Sequence, residues 1–101
     1  MGAGMARWRS KDPNDILDYT LDWTRQMAKD TDTIAAYSIT VEEGSVEVDE
    51  ASGHGTDFDD TTTVVWLMGG VAGEECVVVN TIETAEGRVY NRRRKLKIKE
   101  L

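Results

Sequence analysis

The chain has 101 residues, a single cysteine, 31% charged residues and a formal net charge of −7. That length supports one domain and leaves no room for a second core, and one cysteine excludes an intrachain disulfide or a cysteine-based zinc site. No segment approaches the ~18 consecutive apolar residues of a membrane span, and no apolar run follows the basic residues of MGAGMARWRSKDP, so no membrane anchor or secretory signal is expected.

The charge is unevenly placed. Residues 1–87 hold 5 Lys/Arg against 18 Asp/Glu, whereas residues 88–101 hold 7 against 1. An acidic body with a basic terminal strand can be satisfied internally, or by contact with copies of itself or neighbouring proteins. Nucleic acid is not expected as a partner, because the acidic body repels phosphate.

Residues 1–13 lack any apolar period and end at Pro13, which reads as an extended N-terminal arm ahead of a single domain over 14–101. Ordering such an arm costs on the order of 1–2 kcal/mol per residue, so it needs a surface, and a neighbouring protein is the expected one. Trp8, flanked by Arg7 and Arg9, is the residue expected to insert there. From Asp15 to Thr24 the sequence alternates: Leu17, Tyr19, Leu21 and Trp23 on one face, Asp18, Thr20, Asp22 and Thr24 on the other. Period two predicts a half-buried strand with Trp23 in the core. Residues 25–33 read as a polar connection with room for one helical turn.

A second strand follows, with Ala35, Tyr37, Ile39 and Val41 on its inner face, and Gly44 turns the chain into a short run containing Val46 and Val48. Residues 49–60, DEASGHGTDFDD, read as an acidic, glycine-rich loop anchored by Phe58. Two β-rich runs, TTTVVWLMGG and CVVVNTIETA, then flank a turn at Gly69–Gly73, and RVYNRRRKLKIKE closes the chain. About six or seven short strands with turn signals every 8–12 residues or so predict an all-β, immunoglobulin-like antiparallel sandwich.

Candidate chemistry is sparse. Adjacent carboxylates such as Asp59/Asp60 and Glu74/Glu75 point apart and stay wet, unlike a catalytic pair. The ligand alternation of a calcium loop is missing from 49–60, so a solvated loop is expected, with a weak divalent site as the alternative. His54 lies between glycines without a nucleophile or co-ligand and reads as a surface residue. Gly69–Gly73 leads into Glu74-Glu75 and a strand, where a phosphate loop needs a helix start with Lys and Ser/Thr. Cys76 reads as a small buried hydrophobe. No catalytic residue, metal or cofactor is therefore expected.

Surfaces remain. In the last strand Leu96 and Ile98 mark the inner face, with Arg92 and Arg94 in the same parity, while Arg93, Lys95, Lys97 and Lys99 face solvent. Such a strand can be a lysine-protected edge or a contact for an acidic neighbour. If Val65 and Leu67 point inward, Trp66 points outward, where an aromatic favours protein contact. The expected interface residues are Arg7, Trp8, Arg9, Trp66, Arg92, Arg93 and Arg94.

Several short motifs occur in order: Lys11-Asp12-Pro13, Leu17-Asp18-Tyr19, Asp22-Trp23, Val65-Trp66-Leu67, Gly69 to Gly73, Val78 to Ile82, and Gly87-Arg88. Together, across residues 11–98, they resemble the tailed-bacteriophage fiber–tail adaptor family of small virion structural proteins. Cys76 stands where that family often has Tyr, and Arg92–Arg94 is more basic than its usual pattern. The resemblance implies a non-enzymatic immunoglobulin-like domain without cofactor, connecting tail or baseplate to tail fiber through protein–protein contacts. It implies partners among tail, baseplate and fiber subunits, multiple copies in a symmetric assembly, and a place in the virion tail after assembly in the host cytoplasm. The alternative is a capsid decoration or cement protein bridging capsomers.

Overall fold

Alternating apolar and polar residues build most of this protein, and the computed structural model describes residues 6–51 and 53–101. Residues 1–5 of the expected arm lie outside the described residues. Among the described residues the elements are β1 (Leu17–Asp22), α1 (Thr24–Asp30), β2 (Ile34–Glu43), β3 (Val46–Val48), β4 (Thr56–Phe58), β5 (Thr62–Gly69), β6 (Glu75–Thr84) and β7 (Val89–Lys97).

The strands form two antiparallel sheets that pack as a β-sandwich. In the first, β1 pairs with one edge of β5, while β3 and β4 share its other edge end to end. In the second, β2, β6 and β7 lie side by side. The pairings β1–β5–β3 and β2–β6–β7 correspond to strands B–E–D and C–F–G of an immunoglobulin-like sandwich. The helix, seven residues or about two turns, lies between β1 and β2. Asp22 accepts the Thr24 N–H at 2.9 Å, and Thr31, at φ 54°, ends the helix in the left-handed region. Met27 is its buried residue.

Residues 49–60 are not one loop, as the sequence suggested. The chain leaves the edge of β5 after Asp49, whose N–H donates to the Trp66 carbonyl, and returns at Gly55, whose carbonyl accepts the Trp66 N–H. It then forms β4, with Thr56 opposite Val65 and Phe58 opposite Thr63. Phe58 was expected as an anchor but is 40% exposed. Acidic residues on both sides of Thr56-Asp57-Phe58 hide a strand whose stability comes from backbone pairing with β5.

The core has two parts. Tyr19, Val46, Val65, Leu67, Cys76, Val78, Leu96 and Ile98 fill one end, and Leu21, Trp23, Met27, Ile34 and Ile82 fill the other. A polar rung lies between them. The Trp23 indole N–H donates to Thr63 Oγ1 at 3.0 Å, and the Tyr37 hydroxyl donates to Asn80 Oδ1 at 2.6 Å. The Asn80 amide donates on to the Arg92 carbonyl at 3.2 Å. Burial raises the Tyr37 pKa well above the ordinary phenol value, so its proton stays in place.

Two glycines set close approaches. A side chain at Gly44, φ 96°, would strike the Cys76 Sγ, and one at Gly70, φ 97°, would meet Ile98. Alanine at either position is both strained and crowded.

Tyr37→Phe should leave Asn80 Oδ1 without its hydroxyl donor inside the core, at a cost of about 1–3 kcal/mol. At roughly 4–8 °C per kcal/mol for a domain of this size, thermal unfolding followed by near-UV circular dichroism should shift down by at least several degrees. An unchanged midpoint would show that the rung is dispensable.

Candidate functional site

The described part of the N-terminal arm lies on its own domain. Residues 6–11 run parallel to the free edge of β7. The Trp8 N–H donates to the Lys95 carbonyl at 2.9 Å, the Lys95 N–H to the Ala6 carbonyl at 2.9 Å, and the Lys11 N–H to the Lys97 carbonyl at 3.0 Å. The edge that the lysines were expected to guard is thus covered by the chain itself. Trp8 was expected in a neighbour, yet in this chain its ring packs on Tyr19 with centroids 4.8 Å apart and touches both core clusters. Its placement follows from a parallel pairing with β7, distant in sequence, that local composition does not announce.

Arg7 and Arg9 flank Trp8 and stay exposed. Arg7 forms an ion pair with Glu75. Arg9 lies 5.0 Å above the Tyr19 ring and donates to the Asp18 carbonyl at 3.2 Å. Burial pushes the Tyr19 hydroxyl up to about 12. Lys11 is fully buried, with Nζ donating to the carbonyls of Gly69 at 2.7 Å and Asp12 at 2.9 Å. It fastens the arm to the Gly69–Gly73 turn, and its burial lowers its pKa. No pattern in the sequence marks Lys11 as a core residue.

The same turn is organised by Glu74. One carboxylate oxygen accepts the Ser45 hydroxyl at 2.7 Å, the Val71 N–H at 2.8 Å and the Ser45 N–H at 3.2 Å. The Ser45 hydroxyl is the largest cause of the depressed Glu74 pKa, followed by the Val71 N–H. The glycine run is held from within by a carboxylate.

Trp66 lies on the outer face of β5, between Val64 and Met68, and is half-buried. Asp18 and Thr20 lie beside it on β1, with Glu47 and Asp57 on the far side. One ring face is covered by His54, stacked at 3.9 Å with an interplanar angle of 7°. His54 was expected as a plain surface residue; instead it is half-buried and meets the Asp49 carboxylate. The His54 hydrogen bond is the main reason that the Asp49 carboxyl lies below its ordinary value. A lone His between glycines gave no sign of this stack, because Trp66 is twelve residues away. Among the described residues no three His, Cys, Asp or Glu side chains converge to hold a metal ion, and no helix is long and apolar enough to cross a membrane.

The arginine run divides by parity. Arg93 forms a bidentate pair with Glu42 across the outer face of β6, both contacts at 3.0 Å. Val77 and Val79, opposite Lys95 and Arg93, are 5% and 8% exposed on this outward side. Long cationic side chains opposite apolar positions commonly shield them in this way. Arg92 and Arg94 turn to the seam between β7 and β1. Arg92 lies 5.5 Å from the Trp23 ring and 5.7 Å from the Tyr90 ring. Burial, then repulsion from Arg92, lowers the pKa of Arg94. The structure therefore gathers Trp8, Arg9, Arg92 and Arg94 along the β1/β7 side, places Arg7 and Arg93 toward the outer face of the second sheet, where each pairs with a glutamate, and sets Trp66 apart on the outer face of β5.

These features define an all-β sandwich with one basic side and an acidic, partly apolar outer face. The family described as podophage GP4 fiber-tail adaptor protein gp77 matches residues 11–97, and the chain belongs to that family. It is a phage fiber–tail adaptor, a structural protein. No curated protein matches the chain.

Two experiments test this geometry. Trp8→Ala should cost about 2 kcal/mol, less than a fully buried tryptophan because Trp8 is half-buried; urea denaturation of the full chain measures it, and a negligible loss would mean that the arm does not hold the domain together. For Glu74 the folded-state pKa is depressed, so its contribution is present above about pH 4.5 and fades as pH falls below that value. Glu74→Gln should therefore weaken the dependence of the urea midpoint on pH below about 4.5; an identical pH profile would remove Glu74 from acid sensitivity.

Proposed function

We propose that this chain connects the tail of a phage particle to its fiber through protein–protein contacts alone, and performs no reaction. The observation that carries the reading is the family match across residues 11–97, nearly the whole domain. Two features support it. The outer face of β5 offers an apolar stripe, Val64, Trp66 and Met68, bordered by carboxylates, as contact surfaces combine an apolar centre with a polar rim. The β1/β7 side offers guanidinium groups that suit carboxylate recognition.

The partners are tail or baseplate and fiber subunits, with several copies in a symmetric assembly located in the virion tail after assembly in the host cytoplasm. Trp66, Arg7, Arg9, Arg92, Arg93 and Arg94 supply contact groups. Trp8 acts from behind, holding Arg7 and Arg9 at the surface by its packing on Tyr19. A rigid sandwich suits this role, because both sheets are tied to one core.

The test is particle assembly with and without the chain. Particles lacking it should carry no fibers in electron micrographs. Trp66→Ala loses the His54 stack and should fold with a lowered midpoint; at a temperature where it is fully folded it should still reduce fiber occupancy severalfold, since aromatic contact residues often dominate an interface. A full fiber complement on particles without the chain would overturn the adaptor role, and full occupancy with Trp66→Ala would remove that residue from the interface.

A further inference from the structure

The two lateral sides of the sandwich carry opposite charge, and each presents charged groups without an ion-pair partner among the described residues. On the β1/β7 side, Arg92 and Arg94 are half-buried two residues apart on one face of β7. Among the described residues neither guanidinium has a carboxylate oxygen within 4.0 Å, whereas Arg7, Arg9, Arg88 and Arg93 all do. Arg92 and Arg94 donate to the carbonyls of their own neighbours, Asn91 and Arg93. Two partly desolvated cations held side by side repel each other, and a carboxylate would relieve both.

On the opposite side β2 runs beside β3 and β4. Residues 30–87 contain 14 Asp/Glu and no Lys or Arg, and the bases that pair with this stretch come from residues 88–97, Arg88 with Asp30 and Asp32 and Arg93 with Glu42. Asp57, Asp59 and Asp60 are exposed around Phe58, an aromatic ring 40% exposed at the tip of β4. Among the described residues Asp60 makes no side-chain hydrogen bond, and its backbone carbonyl accepts the Ile34 N–H, which fixes its position. Carboxylates around an exposed ring complement guanidinium groups beside the Tyr90 ring.

We propose that copies of this chain associate side by side, with the Asp57–Asp60 tip of one copy seated on the Arg92/Arg94 seam of the next. The contact is heterologous: two different surfaces meet, and each copy keeps one of each free for a further copy. It rests on the multicopy adaptor reading above and supplies its surfaces. The long arginines order on binding, and the carboxylates remove the repulsion between them.

The full chain is studied by sedimentation velocity over a range of concentrations at about 0.05 M and about 0.5 M salt, where screening differs strongly. Association is expected and should weaken at the higher salt. Arg92→Glu with Arg94→Glu should reduce it by about tenfold or more, as should Asp57→Lys with Asp60→Lys. Mixing the two charge-reversed variants should restore a complex between them. Arg92→Gln with Arg94→Gln serves as a second pair should the Glu pair fail to fold, and thermal melts establish folding for each. A monomeric parent chain at every concentration and salt overturns the proposal, as does association indifferent to both reversals or a mixture that stays monomeric. Fiber occupancy of particles lacking the chain is read in parallel. Loss of fibers with no self-association refutes the copy-to-copy contact alone, whereas full fibers without the chain refute the adaptor reading itself.

Discussion

Two sets of buried hydrogen bonds, Trp23 to Thr63 on the first sheet and Tyr37 through Asn80 to the Arg92 carbonyl on the second, lie inside the sandwich and fix how its strands sit. Apolar packing alone is tolerant of small slides between sheets. A buried polar group is not, because any displacement leaves a donor or acceptor without a partner in a medium where water cannot replace it. Thr63 belongs to the first sheet, and Tyr37 and Asn80 belong to the second. The Tyr37–Asn80 pair therefore holds β2, β6 and β7 in register with one another. It also places Arg92, since its carbonyl is the last acceptor and its side chain starts from the same residue.

That constraint links stability to surface. The end of β7 held by the rung presents Arg92 and Arg94 to the β1/β7 seam, while the other end is covered by residues 6–11. Lys11 and Glu74 secure the far corner, one by donating to carbonyls of the arm and the glycine turn, the other by accepting N–H groups from both sides of it. Neither ionisable group has the geometry of a reacting centre. Both are occupied in holding backbone.

Much of this was legible from residue order, and the remainder has a physical reason for being hidden. Strands with two-residue alternation, such as LDYTLD and the KLKI segment of the last strand, declare both their form and their buried face. Trp23 in phase with Leu21 and Tyr19 was legible as core, and Trp66 between Val65 and Leu67 as outward-facing. β4 was hidden because Thr56-Asp57-Phe58 carries no alternation, and its existence depends on an available edge of β5. Trp8 and Lys11 were hidden because their burial is created by a parallel pairing with residues more than 80 positions away. The resemblance over residues 11–98 and the family match agree on identity, while the stack of His54 on Trp66 became visible only in three dimensions.

Cys76 is wholly enclosed, with its sulfur in the space that a side chain at Gly44 would need and its pKa raised by burial. As the sole thiol of the chain, it is inert toward alkylating reagents in the native fold and becomes reactive when β6 parts from its neighbours. The protein thus carries a built-in chemical clock: the rate at which a maleimide labels the unmodified chain counts how often the sandwich comes apart, without any probe having to be introduced.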